Sequence, residues 1–238
     1  MSRFSHIAHG LLPYSAPLST ATVAELVELL SLDATSSVVD LGCGRAQLLL
    51  QFVEHFGLTA TGVDIDSSAL ALAQAATNER VRLVHQSAAE FQPDTSFDLA
   101  ICIGSSHALG GLAPTLVRLM ELTKPGGYVL LGEGYWKKEP EQSYLDAFGG
   151  SRDELLSFPQ TIESALAAGL SPVWTSVSSE RDWDHYEGRY RFAMSRFLTE
   201  NPTDPEFEAF RQRSESWYNA YLRWGRETMG FALFLFQV

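Results

Sequence analysis

Val38-Val39-Asp40-Leu41-Gly42-Cys43-Gly44-Arg45-Ala46 is the stretch whose reading decides the fold. An apolar run ends in a carboxylate, passes through Gly-x-Gly and opens into residues at helical spacing, Ala46 to Phe56, which Gly57 ends. Such a turn lets a ligand approach the backbone, because glycine has no Cβ and tolerates positive φ. Asp64 stands at the end of the next apolar run, Thr59 to Val63, where a carboxylate can accept both hydroxyls of a ribose. Together these residues predict an adenosine across the carboxyl ends of the first two strands. A dinucleotide is disfavoured, since its fingerprint needs a glycine at position 47 and Gln47 stands there.

Outward from this unit, apolar runs and helical periods alternate with turn signals, which is how an α/β fold built on a parallel sheet reads. Strands are predicted at Ser37 to Leu41, Thr59 to Val63, Val81 to His85, Phe97 to Ile103, Tyr128 to Leu131, Ser171 to Val177 and Phe231 to Gln237. Beyond the first, helices are predicted from Ser67 as N-cap to about Asn78, over Leu112 to Leu122 and over Gln160 to Ala168. Two more are expected, from about Asp182 to Leu198 and from Asp204 or Pro205 to about Glu227. Regularity weakens between Gly134 and Phe158, where one or two short helices are expected in an insertion.

With 238 residues, 45% apolar and 19% charged, the chain can bury a real core, and α/β enzymes of about 250 residues are routinely single domains. One domain, residues 1–238, is therefore expected, with a lid segment at 1–30 and cap insertions at 134–160 and 180–226. The 17 basic and 29 acidic residues leave a net charge of −12, a field that repels phosphate backbones and argues against nucleic acid as a partner. The two cysteines, Cys43 and Cys102, follow no charged leader or apolar signal region and read as reduced thiols of a cytoplasmic protein. No apolar run approaches the roughly 20 residues that span a bilayer, so no membrane partner is expected. His6, His9 and His107 lack metal-ligand spacing, and no metal is expected.

Asp40-Leu41-Gly42-Cys43-Gly44, Gly62-Val63-Asp64-Ile65-Asp66, Ser96-Phe97-Asp98-Leu99 and Lys124-Pro125-Gly126-Gly127 resemble, in order and spacing, the successive motifs of class I S-adenosylmethionine-dependent methyltransferases. Further on, Cys102-Ile103-Gly104-Ser105-Ser106-His107, Gly132-Glu133-Gly134-Tyr135-Trp136 and Trp183-Asp184-His185-Tyr186-Glu187 resemble a little-characterised bacterial group of small-molecule methyltransferases. The resemblance implies a Rossmann-like seven-stranded sheet, mostly parallel with an antiparallel last strand, helices on both faces and a helical cap. It implies S-adenosylmethionine as cofactor and S-adenosylhomocysteine as product.

Carried over residue by residue, the resemblance makes Asp40 organise the methionine amino group while Gly42, Cys43 and Gly44 pass beneath the methionine moiety. Asp64 takes the ribose, Ile65 packs on the adenine, and Ser87, Ala88 and Ile103 complete the cofactor set. The family often has Gly-Asp-Ala where Gln86-Ser87-Ala88 stands, so a charge-assisted contact at Ser87 is lost. Ala46 replaces the usual third glycine, which asks that a methyl group fit at the helix start.

Methyl transfer at a sulfonium needs a base only if the nucleophile arrives protonated. His107, just past the fourth strand, reads as that base or as a substrate ligand, and equally as a loop histidine satisfying a backbone carbonyl. Glu133 follows the fifth strand and can accept from a substrate or pair with a cap arginine. Tyr14 is the third candidate catalytic residue. Tyr135, Trp136 and Trp183, with Tyr186, read either as walls of an acceptor pocket or as packing of the cap. The arginines from Arg181 to Arg226 read as an anion site or as a solvated face paired with Glu187, Glu200, Glu208 and Glu215.

The function expected is methyl transfer to a small-molecule acceptor by in-line displacement, with O, N, S and C all open as the atom methylated and a monomer or homodimer as the assembly. A nucleic-acid methyltransferase is opposed by the charge and by the missing Asn/Asp-Pro-Pro-Tyr and Pro-Cys signatures. The alternative of another class is a non-catalytic S-adenosylmethionine or nucleotide-binding sensor or scaffold.

Overall fold

Ser37–Leu41 forms β1, and every residue from Val38 to Leu41 is buried. Neighbouring side chains on a strand point to opposite faces, so both faces of β1 are covered, as the apolar run predicts. The computed structural model describes residues 2–238; Met1, part of the expected lid segment, lies outside the described residues. The other strands are β2 (Thr59–Asp64), β3 (Val81–His85), β4 (Phe97–Ile103), β5 (Thr123–Trp136), β6 (Ser171–Val177) and β7 (Met229–Gln237). The helices are α1 (Arg3–Ala8), α2 (Thr20–Leu29), α3 (Gln47–Phe56), α4 (Ser67–Gln74), α5 (Leu112–Leu122), α6 (Gln142–Phe148), α7 (Phe158–Ala167), α8 (Glu180–Glu200), α9 (Phe207–Ala220) and α10 (Arg226–Thr228).

The described residues divide into two compact units, one of residues 2–19, 134–158 and 178–231, the other of residues 20–133, 159–177 and 232–238. The second holds most of the sheet, whose strand order is β3-β2-β1-β4-β5-β7-β6. The pairs β3/β2, β2/β1, β1/β4 and β4/β5 are parallel, and β6/β7 is antiparallel. This is the predicted fold class, a seven-stranded, mostly parallel sheet. Strand order reverses beside β1, and the crevice at the carboxyl ends of β1 and β4 is where such sheets bind ligands.

Several boundaries differ from the sequence reading, each for a local reason. Asp66, not Ser67, caps α4, because its carboxylate accepts from both Ser68 N and Ala69 N. That helix ends at Gln74 and not near Asn78: Thr77 Oγ1 donates to Gln74 O, and Asn78 Oδ1 accepts from Arg80 N, so both side chains divert the backbone from helix. Pro125-Gly126-Gly127 does not precede β5 but bulges within it, Phe97 pairing with Thr123 and Leu99 with Tyr128. A Cβ on Gly127 would lie 2.8 Å from Asp98 O, so the bulge needs glycine there.

In the first unit, α8 begins at Glu180, with Asp182 in a capping box with Ser179. Asp204 does not open α9, since Arg3 and the Glu206 N–H hold its carboxylate. After Ala220 the helical path widens into a π turn, Tyr221–Gly225. Phe4, Ala8 and Leu12 pack with Tyr190, Met194, Leu198 and Phe210 to form the core here.

Candidate functional site

The turn after β1 is tied to the end of β2 by backbone and side chain together. Gly42 N and Cys43 N both donate to Val63 O, at 2.8 and 3.1 Å. Gly44 N donates to Asp64 Oδ2 at 2.7 Å, and Asp66 N donates to Asp64 Oδ1 at 2.8 Å. Each carboxylate oxygen has a second lone pair, so Asp64 can hold the turn and still accept from two hydroxyls.

Gly42 has φ +84°, and a Cβ there would stand 2.4 Å from Ser105 Oγ. Gly62 is as tightly constrained, with Cys43 Sγ 2.8 Å from where its Cβ would be. The backbone cradle therefore exists only without side chains at these positions. Ala46 carries more than the expected steric demand: its φ is 55°, the left-handed region that glycine occupies freely and alanine does not.

Asp40, opposite Gly62 in β2 and Ile101 in β4, is 6% exposed. Burial, and secondarily the charge of Asp64, pushes its carboxyl up to about 7. Its Oδ1 is buried and has no hydrogen-bond partner among the described residues. Burial also raises the Cys43 and Cys102 thiols, keeping both protonated.

Around this centre, Ile65 is 70% exposed, an apolar side chain held at the surface beside Asp64. Ser87 is half-buried and Ala88 buried in the turn after β3, while Gln86 N donates to Asp64 O. Ile103, at the end of β4, presses on Gly132, whose Cβ would lie 2.7 Å away. His107 is exposed on a short 3₁₀ turn, Ser106–Leu109, and its ring makes no hydrogen bond among the described residues. Glu133 is buried near the end of β5. All of these belong to the second unit.

Tyr14, Tyr135, Trp136 and Trp183 belong to the first unit, and all four are buried there. Trp136 Nε1 donates to Arg152 O, and its ring meets Tyr144 edge-on. Tyr135 packs edge-on against Phe158. Trp183 stacks on Tyr221 at 6.3 Å. His9 Nδ1 donates to Ser5 O, and its Nε2 shares a 2.9 Å hydrogen bond with Tyr186 Oη.

Two residues escaped the sequence reading. Ser105 packs on the Gly42 turn, a contact between the segments that follow β4 and β1 and that no spacing reveals. Glu187, read above as one partner on a solvated arginine face, is 2% exposed and accepts from Trp217 Nε1. The face itself does form, with Arg211 pairing Glu208 and Glu215 and Arg196 pairing Glu200. The signal for Glu187 was present: Trp183, Glu187, Tyr190 and Met194 recur at helical spacing and form the buried stripe of α8.

A reversed strand order, a glycine turn after the first strand and an acid closing the second define an α/β protein of the nucleotide-binding class. Residues 38–127 match a family model described as methyltransferase domain. The chain is 28% identical over 225 residues to the uncharacterised protein YjhP of Escherichia coli K12, covering 92% of this chain and 91% of that one. It is similar to the crystal structure of a SAM-dependent methyltransferase from Thiobacillus denitrificans in complex with S-adenosyl-L-homocysteine, at 28% identity and TM-score 0.91, over 99% of this chain and 98% of that one. A Geobacter sulfurreducens SAM-dependent methyltransferase, also in complex with S-adenosyl-L-homocysteine, gives 26% identity and TM-score 0.92 over 99% and 98%. Residues 38–127 thus match a methyltransferase domain, and nearly the whole chain shares the fold of SAM-dependent methyltransferases solved with S-adenosyl-L-homocysteine. Among the described residues no helix is long and apolar enough to cross a membrane.

Proposed function

We propose that the protein binds S-adenosylmethionine at the carboxyl ends of β1 and β2 and transfers its methyl group to a small-molecule acceptor. The observation that carries this reading is the Asp40–Gly42–Gly44–Asp64 arrangement. It joins a buried carboxylate oxygen without a partner among the described residues to a side-chain-free turn bonded to a second carboxylate. These residues fit the cofactor. Asp40 is the acceptor for the methionine ammonium, and Gly42, Cys43 and Gly44 admit the methionine chain against the backbone. Asp64 accepts from the ribose, and Ile65, Ser87, Ala88 and Ile103 border the adenine.

When bound, the cofactor would supply an electrophilic methyl on a sulfonium, which the acceptor attacks in line as the CH3–S bond breaks and the neutral thioether leaves. The protein's part is alignment and exclusion of water, and positioning of this kind can supply about 7 to 11 kcal/mol. In this proposal His107, exposed and with an unengaged ring, takes the acceptor's proton where it has one. Glu133 and Tyr14 are the further candidates for that role, and Tyr135, Trp136 and Trp183 are the candidate acceptor contacts. The organisation of residues 1–238 as one methyltransferase domain, with 1–30 as lid and 134–160 and 180–226 as cap, belongs to the same proposal, as do a cytoplasmic location and the absence of a nucleic-acid partner.

Calorimetric titration with S-adenosylmethionine, S-adenosylhomocysteine and NAD tests the reading. Binding of the two sulfur ligands and not of NAD is expected. Binding of NAD alone would overturn it, and tight cofactor binding with no methyl transfer to any member of a broad acceptor panel would favour a sensor.

A further inference from the structure

Glu187, in the first unit, is a buried acid that methyl transfer gives no task. A carboxylate on the buried stripe of α8 is costly unless something compensates it. Trp217 Nε1 donates to Oε2 at 2.9 Å, and among the described residues neither a second donor nor a cation meets the group. Burial pushes its pKa up to about 7; burial also raises those of Tyr144, Tyr186, Tyr190 and Tyr221 around it, the Glu187 charge adding a lesser part.

Glu187 lines a cavity with Tyr144, Trp217, Ala220, Tyr221 and Met229, all of the first unit. The space measures about 250 Å³, part of it open solvent, and its enclosed part has room for about one water-sized group. Its walls are held in place. Tyr221 Oη donates to Asp184 Oδ1 at 2.6 Å, and Tyr144 Oη lies 3.0 Å from where a Cβ on Gly225 would be, so the π turn there closes on the phenol. A π turn inside a helix frequently marks a functional site.

Three aromatic rings and one buried anion are the elements that recognise an organic cation: ring faces attract positive charge, and the carboxylate supplies the counter-charge. A neutral or anionic guest gains from neither. We propose that this cavity binds the ammonium head of an alkylamine, with Glu187 as its counterion and Tyr144, Trp217 and Tyr221 as its walls. The small enclosed volume admits the head alone and leaves the alkyl chain toward the opening. This inference concerns the first unit only and does not depend on the methyl-transfer reading.

The test uses the full chain without cofactor at about pH 8, with n-butylammonium chloride and its isosteric neutral partner n-butanol as probes. Binding is followed by saturation-transfer NMR and calorimetry. Saturable binding of the ammonium, with the alcohol at least about tenfold weaker, is expected, as is a loss of about tenfold or more in ammonium affinity for Glu187→Gln. The Trp217→Phe variant, which removes the indole donor and keeps an aromatic wall, should retain selectivity for the cation. Equal binding of ammonium and alcohol by the wild type would overturn the proposal, and so would the absence of saturable ammonium binding. The wild-type comparison needs no variant, so it stands even if a substituted chain fails to fold.

Discussion

The Gly44 N–H donates to Asp64 Oδ2 at 2.7 Å, so the turn that leaves β1 and the acid that ends β2 are one structural element. Asp64 therefore has two tasks. It fixes the conformation of the Gly-x-Gly turn, and in the function proposed above it also accepts from a ribose.

Replacing Asp64 should remove both at once. Asp64→Ala is expected to weaken S-adenosylhomocysteine binding by about tenfold or more, the worth of one charge-assisted hydrogen bond or two. His107→Ala should leave that affinity within about threefold and reduce turnover. Calorimetry on the two variants decides the matter, and equal losses in binding would show that the division between cofactor and catalytic residues is mistaken.

Asp40 should make stability and binding depend on pH in opposite senses. Its folded-state pKa, about 7, lies above the ordinary 3.8, so its contribution to stability is full below about pH 4 and lost as the pH rises through 7. Asp40→Asn is accordingly expected to raise Tm at pH 8 and to change it little near pH 4. The same variant should bind S-adenosylhomocysteine more weakly at pH 8, because the carboxylate proposed to meet the ammonium is gone. A Tm difference independent of pH would contradict the assignment.

Gly42 and Gly44 both have positive φ but differ in surroundings, which separates strain from collision. Gly44 has φ +54° and open space where a Cβ would stand, so Gly44→Ala should cost about 1 to 2 kcal/mol of stability. Gly42→Ala adds the contact with Ser105 at 2.4 Å and should cost more. Ser105→Gly in the Gly42→Ala background should recover only the collision, a coupling that denaturant unfolding of the single and double variants measures.

Glu187 gives a second stability profile of the same sign. Its pKa rises from 4.5 to about 7, so its contribution is full below about pH 4.5 and falls away up to about pH 7. Glu187→Gln, which keeps an oxygen for Trp217 Nε1, should be at least as stable as the wild type at pH 8 and should lose that part of the pH dependence. Greater stability of the wild type at pH 8 would mean that the carboxylate is compensated inside the protein by a group other than Trp217.

Much of the fold was legible because its signals are local. β1, β3, β4, β6 and α5 have the predicted bounds, since apolar runs and helical periods report burial that each segment imposes by itself. Asp66 as cap, the early end of α4 and the bulge at Pro125-Gly126-Gly127 depend on which side chain reaches which backbone group, and short-range pattern does not rank those competitors. Ala46 shows the same limit. Its substitution for glycine is visible in the sequence, but the left-handed backbone it must adopt is visible only in the folded turn.

For the site, the sequence by itself determined which residues stand at the ends of the first two strands. Asp40, the two glycines and Asp64 are close in the chain, and the βα unit leaves them little freedom in where they stand. Tertiary structure alone decided what is distant in sequence: that Ser105 packs on Gly42, that Asp40 is buried deeply enough to move its pKa, and that Glu187 turns into a cavity with Tyr144 and Trp217 and away from solvent. The physical reason is that conformation at a turn is set by the residues in it, whereas burial and the electrostatics that follow from it are set by whatever the rest of the chain brings alongside.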